Sequence, residues 1–312
     1  MGSQMVTKSL LASACLSLAI APVAAWGADR APIVLKPIGQ WNLDMGENKC
    51  RIARVFGSEE QKAAFYLEQW SPSEEADWAV AAREVAGFRS DRKTTYAFGP
   101  GGKSDDFEFT KTSFGDFGSL VGARSKIVSE DPSQEDMDSN DDDERDWQAR
   151  PRGLEQLDSD RAAQITSLTL SQSGRTDVII ETGGLKPVLA AMNACMEDLV
   201  RHWGLDPAEQ RRVVSPPKAT NMPKVVQYIM STYPAGALRK GAQATFHLRI
   251  MVGTNGAVEE CVLTNQTLAE DFDMKRHPCF AFTTRAVMEP ARDAAGEPVR
   301  SFYTARIAYR IG

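Results

Sequence analysis

Residues 244–264, ATFHLRIMV-GTNG-AVEECVLT, decide how the last third of the chain is read. Ala244, Phe246, Leu248, Ile250 and Val252 alternate with Thr245, His247, Arg249 and Met251, the period of two that marks a half-buried strand. Gly253-Thr254-Asn255-Gly256 then turns the chain back into Val258 to Thr264, so a hairpin is predicted. Before it, Pro223 to Thr232 reads as a short helix with Val226, Ile229 and Met230 inward. After it, a helical stretch runs from Pro278 to Val287. The chain closes on a long strand, Val299 to Ile311. Val299, Tyr303, Ala305, Ile307, Tyr309 and Ile311 face one way, and Arg300, Phe302, Thr304, Arg306 and Arg310 face the other. One face is expected to pack on a helix and the other to meet solvent or a partner.

Several short motifs lie along this stretch in a telling order. Tyr233-Pro234-Ala235 is followed by Ala237-Leu238 and Gly241, then by the hairpin turn, Phe272-Asp273, Met288-Glu289-Pro290-Ala291 and Gly296-Glu297-Pro298-Val299. Together, from about Tyr233 to Ile311, they resemble the C-terminal domain of the TonB family. The resemblance implies an antiparallel three-stranded sheet with two helices. It also implies a cell-envelope protein that adds a sheet edge to an extended segment of a partner, in that family an outer-membrane transporter. The physics is β-augmentation, in which an unpaired strand supplies backbone donors and acceptors while its side chains sort partners. The edge implied here is Val299 to Ile311, with Arg300, Phe302, Thr304, Arg306 and Arg310 as partner-binding candidates. The family's transducers carry a histidine in an uncleaved apolar helix and a long Pro-rich spacer. The apolar segment here has no histidine and the spacer is short.

The first half reads as β-rich. Strands are predicted at Ile33 to Leu35, Asn42 to Asp44, Cys50 to Phe56, Ala63 to Trp70, Thr94 to Phe98, Phe107 to Thr112, Ile165 to Ser171 and Asp177 to Glu181. Ser71 to Val85 is ambiguous: Ser71-Pro72-Ser73-Glu74 has the chemistry of a helix start, yet Trp78 to Ala82 also suits a strand. The period then changes to 3.6. Leu185, Val188, Leu189, Met192, Cys195, Met196, Leu199 and Trp203 form one stripe of a long amphipathic helix, and Gly204 stands where a left-handed C-cap belongs. The fold class is therefore α+β, with a β-rich domain over residues 26–205, a linker over 206–222 around Ser215-Pro216-Pro217-Lys218, and the TonB-like domain over 223–312.

Charge narrows the partners. The total is −6, but residues 130–146 alone sum to −9, so the acidity belongs to one insert at 129–146 rather than to a surface. That insert is expected to be a solvated loop. Counted from Asp136, the glycine and glutamate positions of an EF-hand are occupied by Asp141 and Trp147. No uniform basic excess exists to hold nucleic acid, and no apolar run reaches the ~20 residues of a membrane-spanning helix. Residues 1–25, with Lys8, the apolar stretch Leu10 to Ile20 and Val23-Ala24-Ala25, read as a signal peptide cut after Ala25. The alternative is an inner-membrane anchor over residues 6–25. The expected location is the periplasm or cell envelope of a Gram-negative bacterium.

Cleavage would remove Cys15 and leave Cys50, Cys195, Cys261 and Cys279, an even set for an oxidising compartment. Three connectivities are open; a pairing confined within domains joins Cys50 to Cys195 and Cys261 to Cys279. Four buried thiols are the alternative, while zinc is disfavoured because no C-x-x-C occurs. No cofactor is implied. The histidines, His202, His247 and His277, lie in no H-E-x-x-H, and Walker, G-x-G-x-x-G and Gly-x-Ser-x-Gly patterns are absent. Two functions of different class follow. One is an envelope protein-interaction module. The other is a secreted enzyme whose N-terminal domain is catalytic and whose TonB-like module localises it, which calls for a deep pocket holding a perturbed carboxylate pair.

Overall fold

The computed structural model describes residues 1–2, 30–100, 102, 104–109, 112–128, 153–241, 244–264 and 278–309. The acidic insert, Phe272-Asp273, His277, Arg310, Ile311 and residues 3–29, which hold most of the expected signal segment, lie outside the described residues. Alternating apolar side chains turn the first half into strands β1 (Ile33–Leu35), β2 (Asn42–Met45), β3 (Cys50–Gly57), β4 (Lys62–Gln69) and β5 (Glu75–Ala82). Next come β6 (Thr94–Gly99), β7 (Asp105–Phe107), β8 (Thr112–Ser113) and β9 (Ser119–Lys126), and then β10 (Ser167–Gln172), β11 (Val178–Ile180) and helix α1 (Lys186–His202).

These strands make two sheets, one of order β2-β3-β4-β5-β9-β8 and one of order β1-β11-β10-β6-β7. Trp78 of β5 joins them. Its ring is edge-on to Phe98 of β6 and Phe107 of β7, at 6.0 and 5.2 Å, and lies 4.9 Å from Tyr96, while its indole N–H donates to Ser125 Oγ. The indole is thus buried with its one polar atom satisfied, which is what a core tryptophan needs. Helix α1 closes this core with the predicted stripe, all eight residues being buried, and Gly204 adopts φ +73° after it.

The ambiguous segment is a strand. β5 pairs on both sides, with β4 and with β9, and even its outward alanines Ala79 and Ala81 are buried, so a central strand satisfies its backbone where a helix would not. The capping chemistry of Ser73 is real but serves a turn: its hydroxyl accepts from the amide of Glu75. β9 has too little apolar periodicity to be expected from sequence. Its Gly122 is required, because a Cβ there would sit 2.2 Å from the carbonyl oxygen of Trp78.

The second half contains α2 (Pro207–Arg211), β12 (Val213–Ser215), β13 (Lys218–Ala219), α3 (Met222–Ser231), α4 (Ala235–Lys240), β14 (Ala244–Val252) and β15 (Val258–Leu263). It ends with α5 (Pro278–Arg285), β16 (Met288–Glu289), β17 (Ala291–Asp293), β18 (Pro298–Val299) and β19 (Ser301–Tyr309). The expected antiparallel three-stranded sheet is present, ordered β15-β14-β19. Three expectations are corrected. Residues 206–222 are no free linker: they form α2, β12 and β13, and the two strands pair with β17 and β16. The final strand is broken at Arg300, so Val299 pairs with Ala291 in another sheet. In α3 the inward pair is Val225 and Ile229, while Val226 and Met230 are 41% and 71% exposed, because the i,i+4 stripe begins one residue earlier than the sequence pattern suggested.

Pro32–Gly312 form one compact unit with two apolar clusters. One fills the space between the two large sheets and α1. The other lies beneath β14, with Phe246, Leu248, Ile250, Phe282 and Tyr309 at its centre. Met251 and Phe302, from the opposite face of the three-stranded sheet, belong with the first cluster.

Candidate functional site

β19 has one neighbour, β14, among the described residues. Its alternation is as predicted on one face: Tyr303, Ala305, Ile307 and Tyr309 pack on the second core. The other face carries Phe302, Thr304 and Arg306, directly opposite Met251, Arg249 and His247 of β14. This face was expected to meet solvent or a partner, and half of it instead docks on the protein's own first half. Phe302 sits edge-on to Trp203 at 5.3 Å, Met251 is fully buried, and Arg249 lies with its guanidinium carbon 4.6 Å from the centre of the Trp203 ring. Arg249 donates to Asn48 Oδ1, while its Nε finds no partner among the described residues; burial holds its pKa below the usual guanidinium value.

The junction is fastened by one buried amide. Gln210 of α2 donates through Nε2 to the carbonyl of Arg300 at 2.9 Å and accepts from the Ser301 hydroxyl at 2.6 Å. Arg300 is spent in the same place, bonding Glu259 Oε2 at 2.7 Å and the carbonyl of Gly204 at 3.0 Å. Of the five candidate side chains, then, Arg300 and Phe302 hold the chain to itself, Thr304 and Arg306 are exposed, and Arg310 lies outside the described residues.

Beside Thr304 and Arg306 a cleft of about 240 Å³ opens between the three-stranded sheet and the first half of the protein. Leu248 and Ala305, an opposed pair that packs with the second core, line it. Trp70, Arg124, His247, Thr264, Thr304 and Arg306 wall it. His247 stacks on Trp70 with ring centres 4.7 Å apart and planes 15° apart, and Lys49 covers the Trp70 ring. The His247 pKa is pushed down to about 4, first by burial and then by Arg306, with Arg124 and Lys49 adding to the effect and Glu68 opposing it. The ring is therefore neutral at pH 7 in a field set mainly by cations. Arg124 is answered by Glu75 Oε2 at 2.8 Å and the Ser73 hydroxyl at 3.0 Å. Arg306 has no hydrogen bond or ion pair among the described residues, and the Thr304 hydroxyl has none either.

Two carboxylates stand nearby on the outward side of β4 and β5. Burial raises the Asp77 carboxyl pKa, opposed by Arg124 and reinforced by Glu68. Glu68 is itself held by Lys49 at 3.0 Å and by the Nε of Arg51 at 2.6 Å. Neither lines the cleft, so the perturbed pair that an enzyme reading calls for is not assembled in it. Among the described residues no group of three or more His, Cys, Asp and Glu could hold a metal. Both disulfides follow the within-domain pairing. Cys50–Cys195 ties α1 to β3, and Cys261–Cys279 ties α5 to β15. His202 is the last residue of α1. Trp70, Arg124 and Gln210 carry no sequence signal of a site; only the polar face of the 244–252 alternation hinted that His247 and Arg249 needed something to face.

Two glycines of the motifs between Tyr233 and Val299 make turns. Gly241 caps α4 at φ +65°, and Gly256 turns the β14–β15 hairpin at φ +78°, where a Cβ would meet the carbonyl of Met288 at 2.4 Å. Compared with protein-family models, curated proteins and solved structures, the chain matches none.

Proposed function

We propose that the protein is an exported, disulfide-bonded interaction module of the cell envelope that takes up an extended segment of a partner protein along the outer edge of β19. The observation that carries this reading is the edge itself: nine residues of strand, paired on one side only among the described residues, next to a cleft with an unanswered arginine. An unpaired strand of that length offers a row of backbone donors and acceptors, and alternate side chains of an added strand would fall over the cleft. The two disulfides favour an oxidising compartment, in keeping with the signal-like segment at residues 1–25. The likeness of residues 233–311 to TonB C-terminal domains points the same way, toward transporter segments or other envelope proteins as partners. Force transmission is no part of the proposal. No helix among the described residues is long and apolar enough to cross a membrane.

The test is site-specific photocrosslinking. A benzophenone side chain at position 304 or 306 is expected to crosslink in living cells to one extended peptide. That peptide, synthesised, should slow amide exchange along β19. A β19 whose exchange is indifferent to the crosslinked peptide would end the reading.

A further inference from the structure

Resting on the strand-addition reading, we propose that the cleft beside β19 receives a carboxylate side chain of the incoming segment, so that the partner sequence is acidic where it crosses Arg306. Three observations converge. First, Arg306 is the one cation of the cleft with no hydrogen bond or ion pair among the described residues, whereas Arg124 is already bound to Glu75 and Ser73. A guanidinium offers five N–H donors in a fork that fits a carboxylate. Second, the groups beside it are hydroxyls and a neutral ring, not acids: Thr304 and His247 flank Arg306 on β19 and β14, and Ser71 and Thr264 stand on the other walls. Of the nearby acids, Glu68 is engaged with Lys49 and Arg51, and Asp77, 3.9 Å from Arg124, feels the Arg306 charge without forming an ion pair with it.

Third, the size and position suit one side chain. About 240 Å³ is too small for a folded partner element but ample for a Glu or Asp carboxylate with its hydration water. Ala305 of β19 lines the cleft between Thr304 and Arg306, so a strand laid along β19 runs beside the arginine. His247 and Trp70 form a stacked wall on which the Arg306 and Arg124 charges outweigh the opposing Glu68. Lysine-bearing segments would meet Arg306 and Arg124 and be rejected, which gives the edge a sorting rule that its backbone alone lacks.

The experiment uses the full chain and two probes. Succinate reports the cleft alone, through NMR shifts of the Trp70 indole N–H. Fluorescent decapeptides of alternating Thr and Val, with Glu, Gln or Lys at the centre, report strand addition by anisotropy. We expect a saturable succinate shift that Arg306→Gln abolishes. We also expect the Glu peptide to bind about 2- to 5-fold more tightly than the Gln peptide on the wild type, the size of one exposed ion pair, and equally on Arg306→Gln. If Glu and Gln peptides bind the wild type equally and succinate shifts nothing, the carboxylate assignment falls while strand addition stands. If succinate shifts the indole but no peptide binds, strand addition falls and the proposal with it.

Discussion

The two halves of the molecule treat their sheet edges differently. In the first half the edges are β1 and β7, three residues each, and β2 and β8, four and two residues. Strands this short offer one or two free backbone groups, too few to template another chain, which is a common defence against unwanted pairing. In the three-stranded sheet of the second half the edges are β15, six residues, and β19, nine. The protein thus blunts its edges where it builds its larger core and leaves a long one where the smaller sheet is held against that core by Phe302, Met251 and Gln210. β19 is thus the longest edge strand among the described residues, and it is the one on which the proposed strand addition rests.

The contrast can be broken first at the disulfides. Cys50–Cys195 spans 145 residues and Cys261–Cys279 spans 18, so in chain-entropy terms the former contributes about 5 kcal/mol and the latter about 3 kcal/mol. Urea denaturation of the double serine variants should show the larger loss in the first half; the reverse order would mean that the two halves do not unfold as their topology implies. The junction comes next. Gln210→Ala leaves the Arg300 carbonyl and the buried Ser301 hydroxyl unsatisfied, and should cost about 1–3 kcal/mol. A change below a few tenths of a kcal/mol would show that the small sheet is not fastened there.

Acid sharpens the same junction. In the unfolded chain His247 takes up a proton as pH falls through about 6.5, whereas in the folded protein it does so only near 4. Stability contributed by its neutral form is therefore present above pH 6.5, falls between 6.5 and 4, and is gone below 4. With solvent screening of the half-buried ring allowed for, the loss is about 1–2 kcal/mol. His247→Phe keeps the stack on Trp70 and should flatten this part of the pH profile. Asp77, whose pKa is raised, gives a slope of opposite sign just above pH 3.8 that the variant leaves in place.

Much of the second half, and α1 of the first, was legible because their rules are local. The alternation of 244–252 fixes a strand, Gly253 to Gly256 fix its turn, and the stripe from Leu185 to Trp203 fixes the helix that carries Cys195. The remainder depends on what lies across space. Ser73 has the same capping chemistry in a turn as in a helix, and only the neighbours β4 and β9 make the following residues a strand. β9 is a strand because Gly122 lets it approach Trp78, a contact 44 residues away in sequence. The polar face of β19 could be read as a face but not as an address: its lower half meets Trp203 and its upper half a cleft whose other wall, Trp70 just after β4 and Arg124 of β9, comes from the first half. Arg300 looked available because its partners, Glu259 and the Gly204 carbonyl, are distant in sequence.

The smallest effect on stability is expected at Arg306 itself. Being exposed and without an ion pair among the described residues, it should change the unfolding free energy by no more than about 0.5 kcal/mol as Arg306→Gln, while altering which segments the edge accepts. The central claim is reached most directly by amide hydrogen exchange of the free protein. The open edge predicts that alternate amides from Tyr303 to Tyr309 exchange fast while those of β3 and β4 stay protected. Uniform slow exchange throughout β19 with no partner added would mean that the edge is already occupied by the protein's own backbone, and would contradict the account.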